Sequence, residues 1–189
     1  SNWDAGMDMY IYGKLGNLTM TKEGINVLMT NLTGKVPPIL QRLDYIRFNG
    51  EAAGYLHDLT LTGLFHTGAG MVKTDVMMSI DEQSMSRTYS GSVASADLDL
   101  GKLLNQEKKF GKVDFNVELK GFNYKNRYPE SYIKGIISSF EYSQYQYENI
   151  MLDGVYKDGG FNGRLSMDDA NGSVQIDGNF NVAKTIPDF

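Results

Sequence analysis

The sequence predicts an all-β protein, an antiparallel meander of hairpins curled into an open, U-shaped trough with one or two short helices. Three observations point there. Apolar and polar residues alternate with period two through several stretches, as a sheet with one dry and one wet face requires. Those stretches are separated by Gly-, Asn- and Asp-rich steps that can take the positive φ of tight hairpin turns. With 21 Gly and 4 Pro beside 12 Tyr and 9 Phe, the composition suits short strands joined by tight turns. A closed β-sandwich or barrel is the alternative, because alternation reports one dry face and not what dries it.

Along the chain, Leu18 and Met20 lead through Lys22-Glu23-Gly24 into Ile25, Val27 and Met29, which reads as a hairpin. Pro37-Pro38 can start a short helix with Ile39, Leu40 and Leu43 facing inward. Leu59, Leu61, Gly63 and Phe65 alternate, Thr67 to Gly70 turns, and Val72, Thr74, Val76, Met78 and Ile80 alternate again. Val93 marks a further short strand after Ser84 to Gly91. Asp99 can cap a helical turn in which Leu100, Leu103 and Leu104 share a face, with Gly111 just beyond. The clearest strand follows. Val113, Phe115, Val117 and Leu119 fall on one face, and Asp114, Asn116, Glu118 and Lys120 on the other.

From residue 132 onward the hairpins repeat. Ile150, Leu152, Gly154 and Tyr156 alternate up to the turn Asp158-Gly159-Gly160. Phe161, Gly163, Leu165 and Met167 follow, then a turn from Asp168 to Gly172, then Val174, Ile176, Gly178, Phe180 and Val182. Such hairpins make neighbouring strands antiparallel, since parallel ones need a long crossover. No composition break divides the chain, so residues 1–189 read as one β-rich segment. Ser1-Asn2 reads as a cleavage scar and the whole as an excised piece of a longer protein.

Composition narrows the function classes. A net charge of −5 without a basic block argues against gripping nucleic acid. No apolar run is long enough for a membrane-spanning helix. The chain has no Cys, which removes disulfides, thiolate metal sites and cysteine nucleophiles.

Catalytic signals are sparse, and no cofactor is expected. His57 and His66 are the only histidines, without converging acidic partners to make a metal site. Asp168-Asp169-Ala170-Asn171-Gly172 lacks the ligand spacing and closing Glu of a calcium loop and reads as a hairpin turn. Gly68-Ala69-Gly70 lacks the Lys-Ser/Thr ending of a phosphate cradle. In Phe140 to Tyr147 the aromatics switch from even to odd positions, which places a turn or bulge near Ser143-Gln144. That row can stack sugars or bases, but cross-strand pairing is the better account of it.

The closing stretch resembles a known pattern. Tyr145-x-Tyr147-x-x-Ile150-x-Leu152-x-Gly154, then Phe161-x-Gly163-x-Leu165-x-Met167-Asp168-Asp169-x-Asn171 and Ile176-x-Gly178, is similar to the TamB family of the AsmA-like superfamily. Gly91-x-Val93-x-Ser95-x-Asp97-x-Asp99-Leu100-Gly101, followed by Gly111-x-Val113-x-Phe115-x-Val117-x-Leu119-x-Gly121, looks like the preceding unit of that family. The resemblance implies a non-enzymatic periplasmic segment of the Gram-negative envelope. Its parent would be anchored in the inner membrane by an N-terminal helix and partnered with an Omp85-type outer-membrane barrel. It also implies a trough that shields phospholipid acyl chains between the two membranes and supports outer-membrane protein assembly. On that basis Val113, Phe115, Val117, Leu119, Ile150, Leu152, Tyr156, Phe161, Leu165, Val174, Ile176 and Phe180 are the expected inner wall. Asp114, Glu118, Asn162, Arg164, Gln175 and Asp177 would stay wet.

Overall fold

The computed structural model describes residues 10–33, 36, 38–55, 57–81, 83–84, 86–123, 130–158 and 160–181. Ser1-Asn2, Pro37, Gly159 and Val182, named above, lie outside them. The described residues form ten strands: β1 (Tyr10–Thr21), β2 (Tyr45–Tyr55), β3 (Asp58–Thr67), β4 (Gly70–Ile80), β5 (Arg87–Asp99), β6 (Phe110–Asn123), β7 (Glu130–Tyr142), β8 (Tyr145–Lys157), β9 (Gly160–Asp169) and β10 (Gly172–Asn181). Three helices join them: α1 (Lys22–Thr33) and α2 (Pro38–Gln41) between β1 and β2, and α3 (Leu100–Leu104) between β5 and β6.

All ten strands lie in one sheet in chain order, each antiparallel to the next. That is the expected meander, and it is open. β1 and β10 form its two edges rather than pairing with each other, so neither a barrel nor a sandwich results.

Four elements depart from the sequence reading, for three reasons. The segment carrying Ile25, Val27 and Met29 is the helix α1, not a strand. Ile25 is 1% exposed whereas Val27 is 62% exposed, as expected for residues about 200° apart around a helix. Ile25, Leu28 and Met29 hold the i, i+3, i+4 spacing that the alternation masked. Second, β5 begins at Arg87, so Gly91 is a strand residue with φ +141° rather than part of a connection. Small residues at Ser90, Ser92, Ala94 and Ala96 had thinned its signal. Third, β2 and most of β1 are strands without an apolar alternation, because in β2 Gly50, Ala52 and Gly54 occupy the inward positions where larger apolar residues would mark one.

The packed core sits at one end of the sheet. Ile25 of α1, Leu43, Ile46, Ala69, Leu98, Leu103 and Val113 form one buried cluster, with Leu40, Phe65, Phe115 and Phe140 against it. Arg42 joins the two helical connections by donating from Nη1 to the Leu103 carbonyl at 2.6 Å. Asp99 caps α3 as read from the sequence, its Oδ1 accepting from the Lys102 N–H at 2.9 Å. Asn105 closes the same helix in the left-handed conformation. Leu43 is buried as expected, while Ile39 is exposed.

Candidate functional site: an apolar face crossed by continuous rungs

Register decides what each strand presents. Opposite Leu15 of β1 stands Gly50, and the line continues through Gly63, Thr74, Val93, Val117, Gly135, Leu152 and Leu165 to Ile176 on β10. One step towards the helices runs a second line, Leu18, Phe48, Phe65, Val72, Ser95, Phe115, Ile137, Ile150, Met167 and Val174. On the other side Leu61, Val76, Leu119 and Ile133 share a line with Gly91, Gly154, Gly163 and Gly178. A fourth carries Leu59, Met78, Tyr89, Tyr156 and Phe161 and ends at Phe180. The apolar face is therefore ruled by rungs that cross the whole sheet.

The twelve expected wall residues share this face, but not one environment. Val113 is 4% exposed beneath the helices, so it is core and not open wall. Val117, Leu119, Ile150, Leu152, Tyr156 and Leu165 are half-buried, while Val174 and Ile176 are each 40% exposed on the edge strand. Phe161 is buried, with its ring over Gly154, where a Cβ would come within 2.7 Å of Cζ. Phe180 stands in register with Phe161; its side chain is outside the described residues. Leu15, Leu61, Val76, Ile133 and Ile137 belong to the same rungs and were not among the twelve. Their signal was present, since Ser131, Ile133, Gly135 and Ile137 alternate as cleanly as the strand that follows.

Glycines shape this floor. Phe48 lies over both Gly50 and Gly63, where an added Cβ would meet its ring at 2.7 Å. Tyr89 lies over Gly121 in the same way and hydrogen-bonds Ser131. Rings laid flat across glycines keep the face apolar while leaving it low.

Two strand pairings, β5–β6 and β6–β7, shift register where this floor meets the helical end. Asp97 and Asn149 take positive φ just beyond the Ser95 and Ile150 rung, and the β6–β7 register shifts between Asp114 and Phe115. Asp97 donates its N–H to Asp114, and Asn149 donates Nδ2–H to the Asp168 carbonyl at 3.0 Å. Bulges of this kind bend a strand locally and increase its twist.

No family model, curated protein or solved structure matches this chain.

The opposite face carries a line of ion pairs set among exposed apolar side chains, Met71, Met77, Phe122, Ile136 and Met151. Glu118, Asn162, Arg164, Gln175 and Asp177 are exposed as expected, while Asp114 is half-buried against the Asp97 bulge. Lys14–Glu51 at 3.5 Å, Lys134–Asp153 at 3.2 Å and Arg164–Asp177 at 2.9 Å lie along one line crossing the strands. Hydrogen bonds from Tyr132 and Lys134 hold the Asp153 carboxyl below its ordinary value, and Arg164 with Gln175 does the same to Asp177. The Lys134 ammonium is raised by its bond to Asp153. A groove of about 500 Å³ on this side is flanked by Met77, Lys120, Phe122 and Tyr132.

The aromatic row forms a hairpin with Ser143-Gln144 as its two-residue turn, both at positive φ, as the parity switch predicted. Its rings engage one another: Tyr145 meets Tyr147 edge-on at 4.6 Å, and Phe110 meets Tyr142 at 5.2 Å. His57 stacks on Tyr55 at 5.3 Å, and His66 pairs across to Arg47 and Met71. Among the described residues no three His, Asp or Glu side chains are grouped as metal ligands, and no helix is long and apolar enough to cross a membrane. Asp169 Oδ1 accepts from the Asn171 and Gly172 N–H groups at 2.8 and 3.2 Å, which makes Asp168 to Gly172 a side-chain-braced turn.

Proposed function

We propose that this chain is a non-enzymatic segment of a TamB/AsmA-like envelope protein whose apolar face shelters phospholipid acyl chains in transit. The observation carrying the reading is the set of rungs crossing ten strands with a second layer at one end only. An acyl chain gains on the order of 10 kcal/mol by leaving water, at about 0.8 kcal/mol per CH₂. A face whose rungs step from strand to strand every ~4.8 Å offers that gain at each step, so a chain can advance without leaving a single deep well. Nothing in such a conduit requires a fixed polar constellation. In this reading the protein works in the periplasm between the two membranes of a Gram-negative cell. Its longer parent is anchored in the inner membrane, meets an Omp85-type barrel and supports outer-membrane protein assembly.

The test is site-specific photolabelling with vesicles of phosphatidylethanolamine and phosphatidylglycerol. A photoreactive residue at Leu119 or Leu152 should capture lipid, and one at Glu118 or Arg164 should not. Phe115→Asp and Leu165→Asp, checked for retained fold by circular dichroism, should reduce capture at Leu152 about tenfold, the loss expected when an apolar contact surface gains a charge. Equal labelling of both faces would overturn the proposal.

A further inference from the structure

The face opposite the apolar rungs carries a trench along β5. The residues that β5 turns to this face are small, Thr88, Ser90 and Ser92, and Ser90 and Ser92 are half-buried at its floor. Register sets Met77 and Asp75 of β4 on one side of them and Lys120 and Glu118 of β6 on the other, all four exposed. A groove of about 500 Å³ and a second of about 600 Å³ both lie over Ser90, between Met77 and Lys120. Beside the trench runs a ridge of the same length, since Phe122, Lys120 and Glu118 of β6 stand directly next to Thr88, Ser90 and Ser92.

Trench and ridge are exchanged by a two-fold axis. An axis parallel to the strands, between β5 and β6, lays a second copy face to face on the first. The copy's β6 then covers β5, and its β7 covers β4. Phe122, Lys120 and Glu118 of the copy enter the trench over Thr88, Ser90 and Ser92. Tyr132 meets Met77, both exposed in the single chain, in a favourable ring–sulfur contact. Charge follows the same symmetry. Reversed about this axis, the line of outward residues from β2 to β9 sets Glu51 opposite Arg164, Thr62 opposite Asp153, Asp75 opposite Lys134 and Ser92 opposite Glu118. Each charge directly faces an opposite charge or a hydroxyl, and none faces its like. Self-complementarity of that kind is what a two-fold contact requires. Four strands ~4.8 Å apart, over six residues' rise of ~3.3 Å each, give a patch of roughly 400 Å² in projection, which belongs with weak, reversible pairs.

We infer that two copies of this chain pair back to back through β4 to β7, the β6 ridge of each seated in the β5 trench of the other. The pair carries its two apolar floors outwards. It uses none of the lipid rungs, so failure of the lipid labelling above would leave it standing.

Sedimentation across a range of concentrations should show a monomer–dimer equilibrium without larger species. Ser90→Arg fills the trench floor and should weaken the dimer about tenfold with an unchanged circular dichroism spectrum, while Ser90→Ala should leave it intact. Charge exchange reads the register. Asp75→Lys alone and Lys134→Glu alone each oppose like charges at both symmetric contacts, and each should weaken association about tenfold. An equimolar mixture of those two variants should recover it, because in the mixed pair both contacts again join opposite charges. Monomer at every concentration would overturn the inference. So would a dimer indifferent to Ser90→Arg, or a mixture that associates no better than its components.

Discussion

Thr74 is a polar residue set into an apolar rung that crosses all ten strands, between Gly63 and Val93. Its hydroxyl is buried and finds no hydrogen-bond partner among the described residues. A buried donor left unsatisfied costs about 1–3 kcal/mol, whereas an apolar group of the same shape at that point costs nothing comparable. Thr74→Val should therefore stabilise the protein by about 1 kcal/mol. The urea midpoint would rise at constant m-value. A loss of stability of similar size would show that the hydroxyl is satisfied after all and that Thr74 is not a defect of the floor. The contrast with Phe48 is instructive. Phe48, 2% exposed, uses two glycines to lie flat and contributes area without a polar debt, so neighbouring rungs reach the same apolar surface by opposite routes.

Strands with aliphatic residues on the inner face, such as β6 and β9, announced themselves by alternation alone. Those that present glycine or serine inward did not. Gly50 and Gly54 hid β2, and in β5 the small outward residues removed the contrast that alternation depends on. α1 was misread because three alternating apolar residues fit a strand as well as a helix, and only burial of Ile25 against Leu43 and Leu103 decides between them. The candidate wall was legible as a face but not as an environment. Nothing local tells Val113, which lies beneath a helix, from Val117, which lies in the open. On the wet face, one line of ion pairs gives this sheet a pH signature. Asp153 is held low by Tyr132 and Lys134, so its contribution is present above the unfolded value of about 3.9 and is lost as pH falls through the lower folded value. Lys134 is raised, so its contribution is present below about 10.4 and fades as pH climbs through the higher folded value. Stability should be level between these limits and fall outside them. Asp153→Asn should flatten part of the acid limb in urea titrations run at a series of pH values. An unchanged acid limb would mean the pair is too solvated to matter.

Nine inter-strand spacings of ~4.8 Å make the ten-stranded face roughly 43 Å across. One acyl chain needs about 15 Å, half the hydrocarbon thickness of a bilayer. The face is therefore long enough for a lipid to occupy successive positions, and its cover is uneven along that length. Helices pack over residues contributed by β1 to β7, while no residue of β8, β9 or β10 belongs to the buried cluster. Each strand is bonded to its chain neighbours alone, so opening can proceed strand by strand from an edge. These features predict a gradient rather than a single cooperative unit. Amides of β10 should exchange first in native-state hydrogen exchange, those of β9 next, and those of β4 to β6 near the helical core last. The gradient should also be directional: β1 is tied down by α1 and should outlast β10 despite being an edge as well. Uniform protection across the sheet would show that the rungs couple all ten strands more strongly than the one-sided core allows. Selective protection of β8 to β10 on adding phospholipid would mark the uncovered stretch as the part of the face that lipid completes.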